Sequence, residues 1–395
     1  MIIANDLCCS GFTSGESSLP SIQFVFLITI CVLLIDSDNR LINYNGIVNL
    51  DTSFVERDRQ SRYSLSLCNH PSEHTDGFWA NNSHPSLESP PCCSWDEGSN
   101  DATCSADTPS HPDGGFRGPD YYYSKSGGHA CSCSPEQLHD KFQWNPRNCM
   151  LPAFNATRFC DLLSDRTLLF VGDSTSDQAA TILINTIRAS FGSPVIDLPI
   201  EKQSITGCGR NIRFAVSDTL IGEKFGQYNR GKHWLEYART LDAERDIVVL
   251  SVGPHIYSTS NLERVIQQVI AEHSAQLPQM RLIWRSQFSG GCGLTPLTEY
   301  PDDLYWQDYL NSGREIFSYA DHQAWDKLAL PYFLNASANR AFLDISPLYL
   351  RPDSHVGSMP GAKYPRDCLH LCLPGPLHPF FAQLLLHVLE SLGLK

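Results

Sequence analysis

The stretch FVGDSTSDQ, Phe170–Gln178, changes abruptly from apolar to polar residues. The apolar run Thr167–Val171 predicts a strand, and the apolar residues that follow at helical spacing predict a helix, Ser176–Ser190. Ser174 therefore stands at a strand-to-helix corner. An aspartate or serine at such a corner commonly caps the helix by accepting a backbone N–H, whereas a serine activated by a base is a nucleophile. The corner alone leaves both interpretations open.

Strand-like and helical segments alternate from about Leu151 to the end of the chain. This alternation predicts an α/β domain in which a parallel sheet has helices on both faces. Ligands bind at the carboxyl ends of the strands in such sheets, and Ser174 falls at one of these ends. The predicted strands are Thr167–Val171, Asn211–Val216, Asp246–Val252, Arg281–Ser286 and Ala341–Ile345, and the other predicted helices are Leu262–Gln276 and Pro379–Leu394.

Length and charge exclude one class of partner and allow a large core. A chain of 395 residues can bury an extensive interior, and 42% apolar residues are typical of a globular protein. The 29 Lys and Arg residues against 43 Asp and Glu residues give a formal net charge of −14. Because binding to phosphates requires a basic surface, nucleic acid is not the expected partner.

Cysteines and glycosylation sequons indicate an oxidising compartment. The chain has 15 Cys residues, many for a cytosolic protein, and sequons at Asn81, Asn155 and Asn335. We therefore expect disulfides and N-glycans, with chance occurrence as the alternative for the sequons. The segment Cys368–Cys372 has the alternating pattern Cys-x-His-x-Cys, which does not match the usual ligand spacing of zinc sites, so no metal site is predicted.

The amino-terminal part of the chain is predicted to lie outside the α/β core. The apolar run 22–35 is shorter than the roughly 20 residues of a comfortable membrane span. It is interpreted as an uncleaved signal anchor behind a short cytosolic stub, 1–21, with a cleaved signal peptide or a buried helix as alternatives. Residues 36–103 are predicted to form a flexible stem. The main domain is expected at 104–395, with a loop-rich, disulfide-tied subdomain at 104–150 and the α/β core at 151–395.

A base for Ser174 is predicted near the end of the chain. A serine hydroxyl becomes nucleophilic only when a base takes its proton, and a third group must orient that base. His370 is the strongest candidate among 14 His residues. Asp367 lies three residues before it, so its carboxylate could reach the imidazole, and the last predicted helix follows. A serine after the first strand of the α/β core, combined with a late Asp-x-x-His, predicts a Ser174–His370–Asp367 triad.

The two motifs FVGDS and DCLHLCLPG resemble those of the trichome-birefringence-like family of plant polysaccharide O-acetyltransferases. That family is part of the PC-esterase group, which has an SGNH/GDSL-hydrolase-like fold. The resemblance covers about residues 104–392 and extends to Phe142–Phe154, Asp246–His255 and Leu343–His355. The chain departs from the family at Thr175–Gln178, where the family has a basic residue and Asn.

The resemblance implies an SGNH-hydrolase-like three-layer fold and an enzyme that acetylates hydroxyl groups of cell-wall or secreted polysaccharides. Ser174 would form an acyl-serine, His370 would act as general acid and base, and Asp367 would orient the imidazole. An acetyl donor, acetyl-CoA or another acyl carrier, would be a co-substrate, and no bound cofactor is expected. The expected location is the Golgi membrane, as a single-pass type II protein with a lumenal catalytic domain, or alternatively outside the cell as a secreted protein.

Other residues are candidates for binding the oxyanion or the substrate. N–H groups at the start of the helix after Asp173 can stabilise an oxyanion, and Gly207 and Gly209 allow a close approach of the backbone. Arg285 could bind a carboxylate or an oxyanion, with a structural ion pair as an equal alternative. His255 is a candidate substrate contact, with a hydrogen-bonded loop residue as the alternative. Aromatic residues that could form sugar platforms, or alternatively belong to the core, are Trp284, Tyr305, Trp306 and Trp325.

Three functions remain open on the sequence. The leading one is the polysaccharide O-acetyltransferase. A carbohydrate acetylesterase of the same fold would use the same machinery, and the choice depends on how well the site holds a sugar and excludes water. The third is a non-catalytic polysaccharide-binding protein, which would not need a complete triad.

Overall fold

The computed structural model describes residues 66–68, 73–81, 142–191, 208, 211–226, 229–288, 319–334, 339–351, 354–355, 369–371 and 378–394, with the backbone of four further short strands. The chain divides into two compact units, Met1–Leu65 and Ser66–Lys395. In the first unit, strands β1 (Arg40–Asn43) and β2 (Gly46–Asn49) pair in an antiparallel hairpin. The α/β core lies in the second unit.

Two further antiparallel pairs precede the α/β core along the chain. Strand β3 (Gly77–Asn81) pairs with β6 (Phe142–Pro146), and Asn81 lies opposite Phe142. Strand β4 (Cys93–Trp95) pairs with β5 (Ala102–Cys104). These pairs are short, and none of them joins the central sheet.

A five-stranded parallel sheet forms the centre of the second unit. Its strands are β7 (Leu168–Gly172), β8 (Ile212–Val216), β9 (Ile247–Ser251), β10 (Arg281–Arg285) and β11 (Arg340–Leu343). They lie in the order β11-β10-β9-β7-β8. Strand β8 therefore lies on one side of β7, and β9, β10 and β11 lie on the other side. Open α/β sheets bind ligands in the crevice at the carboxyl ends of the strands where the order reverses in this way.

Helices cover both faces of this sheet. One layer contains α1 (Ala156–Leu163), α2 (Ser174–Ser190) and α6 (His378–Ser391), and the other contains α3 (Trp234–Ala238), α4 (Thr259–Gln276) and α5 (Tyr319–Phe333). A short 3₁₀ helix, Ser346–Leu350, follows β11. The predicted α/β class, with a central parallel sheet between two helical layers, is confirmed.

The alternation of side chains along the strands separates two hydrophobic cores. Along β7, Leu168 and Phe170 pack with α1, α2 and α6, whereas Leu169 and Val171 pack with α3, α4 and α5. Because successive side chains of a strand point to opposite faces, a continuously apolar strand is what a sheet buried on both sides requires. The apolar runs read from the sequence therefore correspond to the strands of the sheet.

The β3–β6 pair is held against the α/β core by aromatic contacts. The buried Trp79 ring lies edge-on to Trp144 and to Phe380 of α6, at centroid distances of 5.4 and 5.2 Å. Its Nε1–H donates to the carbonyl of Pro347 at 2.9 Å, and the guanidinium of buried Arg351 lies 5.1 Å from the Trp79 ring centroid. Residues 73–81, which fall inside the predicted stem, therefore pack against the core, and the compact unit begins at Ser66.

Two disulfides lie within the described residues. Cys68–Cys149 joins the segment before β3 to the segment after β6. Cys160–Cys208 joins α1 to the chain that leads into β8, at the amino end of that strand. The expected disulfide tie in the amino-terminal region is therefore confirmed, and it includes a cysteine upstream of residue 104.

Within the described ranges, no helix combines the length and the apolar character that a bilayer crossing requires. The apolar run 22–35 lies outside these ranges.

We predict that a chain starting at Ser66 unfolds in one cooperative transition, whereas a chain starting at Cys104 is destabilised by at least about 3 kcal/mol. The shorter chain lacks Trp79 and the Cys68–Cys149 disulfide, and both losses lower stability. Urea denaturation of the two chains measures this difference. Equal stability of the two chains would show that β3 is not part of the folded domain.

Candidate active site

The corner between β7 and α2 places Ser174 at the first position of the helix. The helix cap is Asp173, whose Oδ1 accepts hydrogen bonds from the Thr175 N–H at 2.8 Å and from the Thr175 hydroxyl at 2.7 Å. Since Asp173 supplies the cap, the hydroxyl of Ser174 is not needed for it. The structure thus answers the question that the corner raises, because the cap and the hydroxyl belong to different residues.

The residue before this corner has to be a glycine. A Cβ at Gly172 would run into the side chain of Ser176 and the carbonyl of Ser251. The Gly172 carbonyl also accepts a hydrogen bond from the Ser217 N–H at 2.7 Å. The ends of β8 and β9 thus close tightly around the corner, and they fix the direction in which the helix starts.

Ser174 and His370 meet although they lie 196 residues apart in the chain. The Ser174 Oγ is 2.7 Å from the His370 Nε2, and each residue is 7% exposed. In the tautomer with an unprotonated Nε2, the serine hydroxyl donates to the ring nitrogen, which is the arrangement needed for a base that removes the serine proton. The predicted pairing of these two residues is therefore present in the geometry.

The chain around His370 is held from two sides. The side-chain amide of Gln178 donates from Nε2 to the Leu371 carbonyl at 2.9 Å, and its Oε1 accepts from the Leu371 N–H at 3.1 Å. On the other side, the Nδ1 of His355 lies 3.3 Å from the His370 carbonyl, and His355 pairs with Leu371 in an antiparallel bridge. The position of the imidazole is therefore set by main-chain contacts as well as by Ser174.

Arg285 lies beneath the serine corner at the end of β10. Its Nη2 donates to the Thr175 hydroxyl at 2.9 Å, its Nη1 donates to the Ser286 carbonyl at 2.9 Å, and its guanidinium lies 4.5 Å from the Phe288 ring centroid. Burial lowers the pKa of Arg285 to about 10, and the charge of Asp173 is the largest opposing effect. Arg285 is therefore still a cation at neutral pH, and it reaches Asp173 through Thr175.

A second buried acid stabilises the neighbouring loop. Burial raises the pKa of Asp326 well above its usual value, although the Tyr349 hydroxyl, which donates to it at 2.7 Å, acts in the opposite direction. Asp326 accepts from the Gln287 N–H at 3.0 Å, and the Gln287 side-chain amide donates to the Val252 carbonyl. The turn after β9 is thereby fixed from the strand next to it.

His255 lies in the turn after β9. Its Nε2 is 3.8 Å from the Oδ1 of Asp218, and Asp218 receives hydrogen bonds from Arg230 through its backbone N–H and its guanidinium. The loops that carry Asp218 and His255 flank the serine corner, since the Ser217 N–H binds Gly172 and Ser251 lies opposite Gly172 in the sheet. His255 thus lies beside the serine corner, and its predicted role as a substrate contact stays a prediction.

Several predicted site residues are not described. Asp367, Gly207 and Gly209 lie outside the described residues, so their predicted roles stay predictions. Between the two glycines, Cys208 is bonded to Cys160 of α1.

Of the four aromatic residues that are candidates for sugar platforms, two lie in the described residues and two do not. Trp284 and Trp325 are each 1% exposed and belong to the core between the sheet and α3, α4 and α5. The alternative interpretation of these two residues as core residues is therefore correct. Tyr305 and Trp306 lie outside the described residues.

Two glutamines with structural roles around the site were not singled out from the sequence. Gln178 lies four residues after Ser174, and the two share a helix face because the helix begins at Ser174. The predicted helix begins at Ser176, so this relation does not follow from the sequence. Gln287 follows its strand directly, but its contact with the Val252 carbonyl has no signature in the sequence, since every residue has a carbonyl.

These features define an α/β protein with a buried Ser–His pair at the carboxyl edge of a parallel sheet. Comparison with known proteins gives the particular relatives. The chain is 24% identical to Xyloglucan O-acetyltransferase 1 of Arabidopsis thaliana over 305 residues, which are 62% of this chain and 69% of that protein. It is 38% identical to protein trichome birefringence-like 18 of the same plant over 312 residues, 62% of this chain and 57% of that protein.

The remaining comparisons are weaker. No protein-family model matches the chain. Among solved structures, the chain is similar to Est24, a carbohydrate acetylesterase from Sinorhizobium meliloti, with a TM-score of 0.27, 13% identity and coverage of 56% of this chain and 96% of that chain. The sequence relatives confirm the predicted resemblance to trichome-birefringence-like proteins and polysaccharide O-acetyltransferases.

We predict that Arg285→Lys lowers the free energy of unfolding by about 1–3 kcal/mol, because a lysine cannot keep the paired contacts of the planar guanidinium with Thr175 and Ser286 in a buried site. Chemical denaturation monitored by circular dichroism measures the change.

The matched control is Arg281→Lys at the opposite end of the same strand. Arg281 donates to the Glu244 carbonyl in an exposed contact, so this change should stay within about 0.5 kcal/mol of the wild type. Equal effects of the two substitutions would contradict a special role for the buried cation.

Proposed function

We propose that this protein is a polysaccharide O-acetyltransferase that works through an acyl-serine on Ser174. The observation that carries the proposal is the buried contact between the Ser174 Oγ and the His370 Nε2 at 2.7 Å. The name of one sequence relative, Xyloglucan O-acetyltransferase 1, supports acetyl transfer to a polysaccharide as the activity.

The first half of the proposed reaction forms the acyl-enzyme. The Ser174 Oγ attacks the carbonyl carbon of the acetyl donor while the His370 Nε2 takes the hydroxyl proton. The tetrahedral intermediate then collapses, the bond from the carbonyl carbon to the leaving group breaks, and His370 returns the proton to that group. The donor is an acetyl ester or thioester, such as acetyl-CoA or another acyl carrier.

The second half transfers the acetyl group to a sugar. His370 takes the proton of a sugar hydroxyl, the resulting oxygen attacks the acetyl-serine carbonyl, and Ser174 leaves with the proton returned by His370. Attack by water at the same step would instead give hydrolysis and free acetate. The two activities differ only in the nucleophile that the site admits.

The helix start supplies one donor for the oxyanion. The N–H groups of Thr175, Ser176 and Asp177 bind to Asp173. The N–H of Ser174 is therefore the first-turn donor that the cap does not use, and N–H groups at a helix start stabilise negative charge. In this proposal Asp173 holds the corner and does not touch the substrate, and Arg285 steadies Asp173 through Thr175.

Asp367 completes the proposed triad as the carboxylate that orients His370, and it supports the imidazolium that forms in each half-reaction. His255, in the flanking turn, is proposed to contact the acceptor. For location, we propose a lumenal site in the Golgi with an amino-terminal membrane anchor at 22–35. The cysteine content and the exposed sequon residue Asn155, which caps α1, support this location.

We predict that Ser174→Ala abolishes acetyl-enzyme formation and lowers turnover by at least about 1,000-fold, because no other group replaces the nucleophile. Peptide mass spectrometry after incubation with an acetyl donor detects the acetyl group on Ser174. The matched control is Ser190→Ala on the same helix, whose hydroxyl only bonds to the Thr186 carbonyl. An active Ser174→Ala protein would exclude the proposed acyl-serine mechanism.

We predict that the purified protein transfers acetyl groups to xyloglucan oligomers, since the name of one sequence relative, Xyloglucan O-acetyltransferase 1, gives this activity. Mass spectrometry of the oligomers after incubation with an acetyl donor measures products heavier by one acetyl group. Release of acetate without any acetylated sugar would identify the protein as a carbohydrate acetylesterase instead.

A further inference from the structure

The buried amide of Gln178 makes two hydrogen bonds to the main chain of a single residue, Leu371, which follows His370. Its Nε2 donates to the Leu371 carbonyl at 2.9 Å and its Oε1 accepts from the Leu371 N–H at 3.1 Å. Gln178 and Leu371 are 193 residues apart in the sequence, and Gln178 is fully buried. A buried primary amide with both of its functions satisfied is a strong local constraint.

The position of Gln178 relates this constraint to the serine. Gln178 lies four residues after Ser174 on α2, and residues four apart lie on the same face of a helix, one turn from each other. The helix face that presents the hydroxyl of Ser174 therefore also holds the residue that follows His370. One rigid element sets the distance between the two reacting groups.

The chemistry of the amide suits this task better than that of the nearest alternatives. The main chain of one residue offers one donor and one acceptor, and a primary amide side chain returns one of each from neighbouring atoms. An ionised glutamate would accept from the Leu371 N–H but repel the carbonyl. An asparagine is one methylene shorter and would not reach both groups from the same backbone position.

The other contacts of Leu371 complete the support. Its side chain is buried in the core that α2 and α6 share, and its main chain forms the antiparallel bridge with His355. Since the Leu371 N–H lies in the peptide bond that joins His370 to Leu371, fixing the main chain of Leu371 restricts where the imidazole can lie.

We propose that Gln178 is the positioning residue for His370: its amide fixes the main chain of Leu371 and thereby keeps the imidazole Nε2 within bonding distance of the Ser174 Oγ. This inference rests on the proposed function, because it gives Gln178 a role in that same site. Gln178 contacts neither the substrate nor the reacting atoms in this role.

A fluorophosphonate probe tests the proposal without knowledge of the acetyl donor. The Ser174 oxygen attacks phosphorus, fluoride leaves, and His370 takes the serine proton. We expect Gln178→Met to lower the maximal rate constant of labelling by about 10- to 100-fold, with little change in the half-saturating probe concentration, because a small misplacement of the base slows the chemical step. Gln178→Glu, which keeps the acceptor and loses the donor, should lower it by about tenfold on the same reasoning.

The matched control is Gln383→Met on α6. The Gln383 amide also holds distant main chain, since its Nε2 donates to the Leu151 carbonyl at 3.0 Å, but it does not contact the His370 segment. Labelling of the Gln383→Met protein should stay within about twofold of the wild type. Thermal unfolding of every variant separates a loss of reactivity from a loss of fold.

Each outcome decides the question. Gln178 does not position His370 if the wild type and the Gln178 variants are labelled on Ser174 equally fast. The same conclusion follows if Gln178→Met and Gln383→Met slow labelling to the same extent. In both cases the proposed function is unaffected. If both Gln178 variants fail to fold while Gln383→Met folds, the amide supports the fold and not the base, which also overturns the inference. A folded wild type that is never labelled on Ser174 would overturn the proposed function first, and this inference with it.

Discussion

The contact between the Ser174 hydroxyl and the His370 imidazole is the constraint on which the rest of the structure depends. The two groups come from opposite ends of the α/β core, and their separation of 2.7 Å requires β7, α2 and the segment before α6 to be placed together accurately. The tight glycine at position 172 and the cap on Asp173 fix the serine side. The core that α2 shares with α6 and the pairing of His355 with Leu371 fix the histidine side.

The polar residues beneath this contact are arranged in layers. Thr175 bonds to Asp173 above it and to Arg285 below it, and Arg285 in turn lies in the field of Asp326 and Tyr349. Burying such groups is costly unless they are paired. Here the pairing offsets part of that cost, although burial remains the largest effect on the pKa of Arg285 and of Asp326. The bonded side chains have little freedom to move, which suits a site that needs preorganised groups.

The parts of the structure that the sequence predicts are those with a repeating or local signal. Strands β7 and β9 are buried along their whole length because helices cover both of their faces, so their apolar runs are visible in the sequence, and the Gly-Asp-Ser corner identifies the nucleophile candidate. The packing of Trp79 against Phe380 and the hydrogen bonds from Gln178 to Leu371 could not be read in the same way. One joins distant short segments, and the other involves main-chain groups that every residue possesses.

The antiparallel pairing of β3 and β6 has a consequence for the tolerance of the domain to change. Asn81 and Phe142 lie opposite each other at the ends of the paired strands, so the two ends of the connection between these strands are adjacent. Closing a longer or shorter connection there costs only a slowly varying entropy. This position is therefore a natural point at which related proteins can gain, lose or exchange whole segments while the sheet and the serine corner stay as they are.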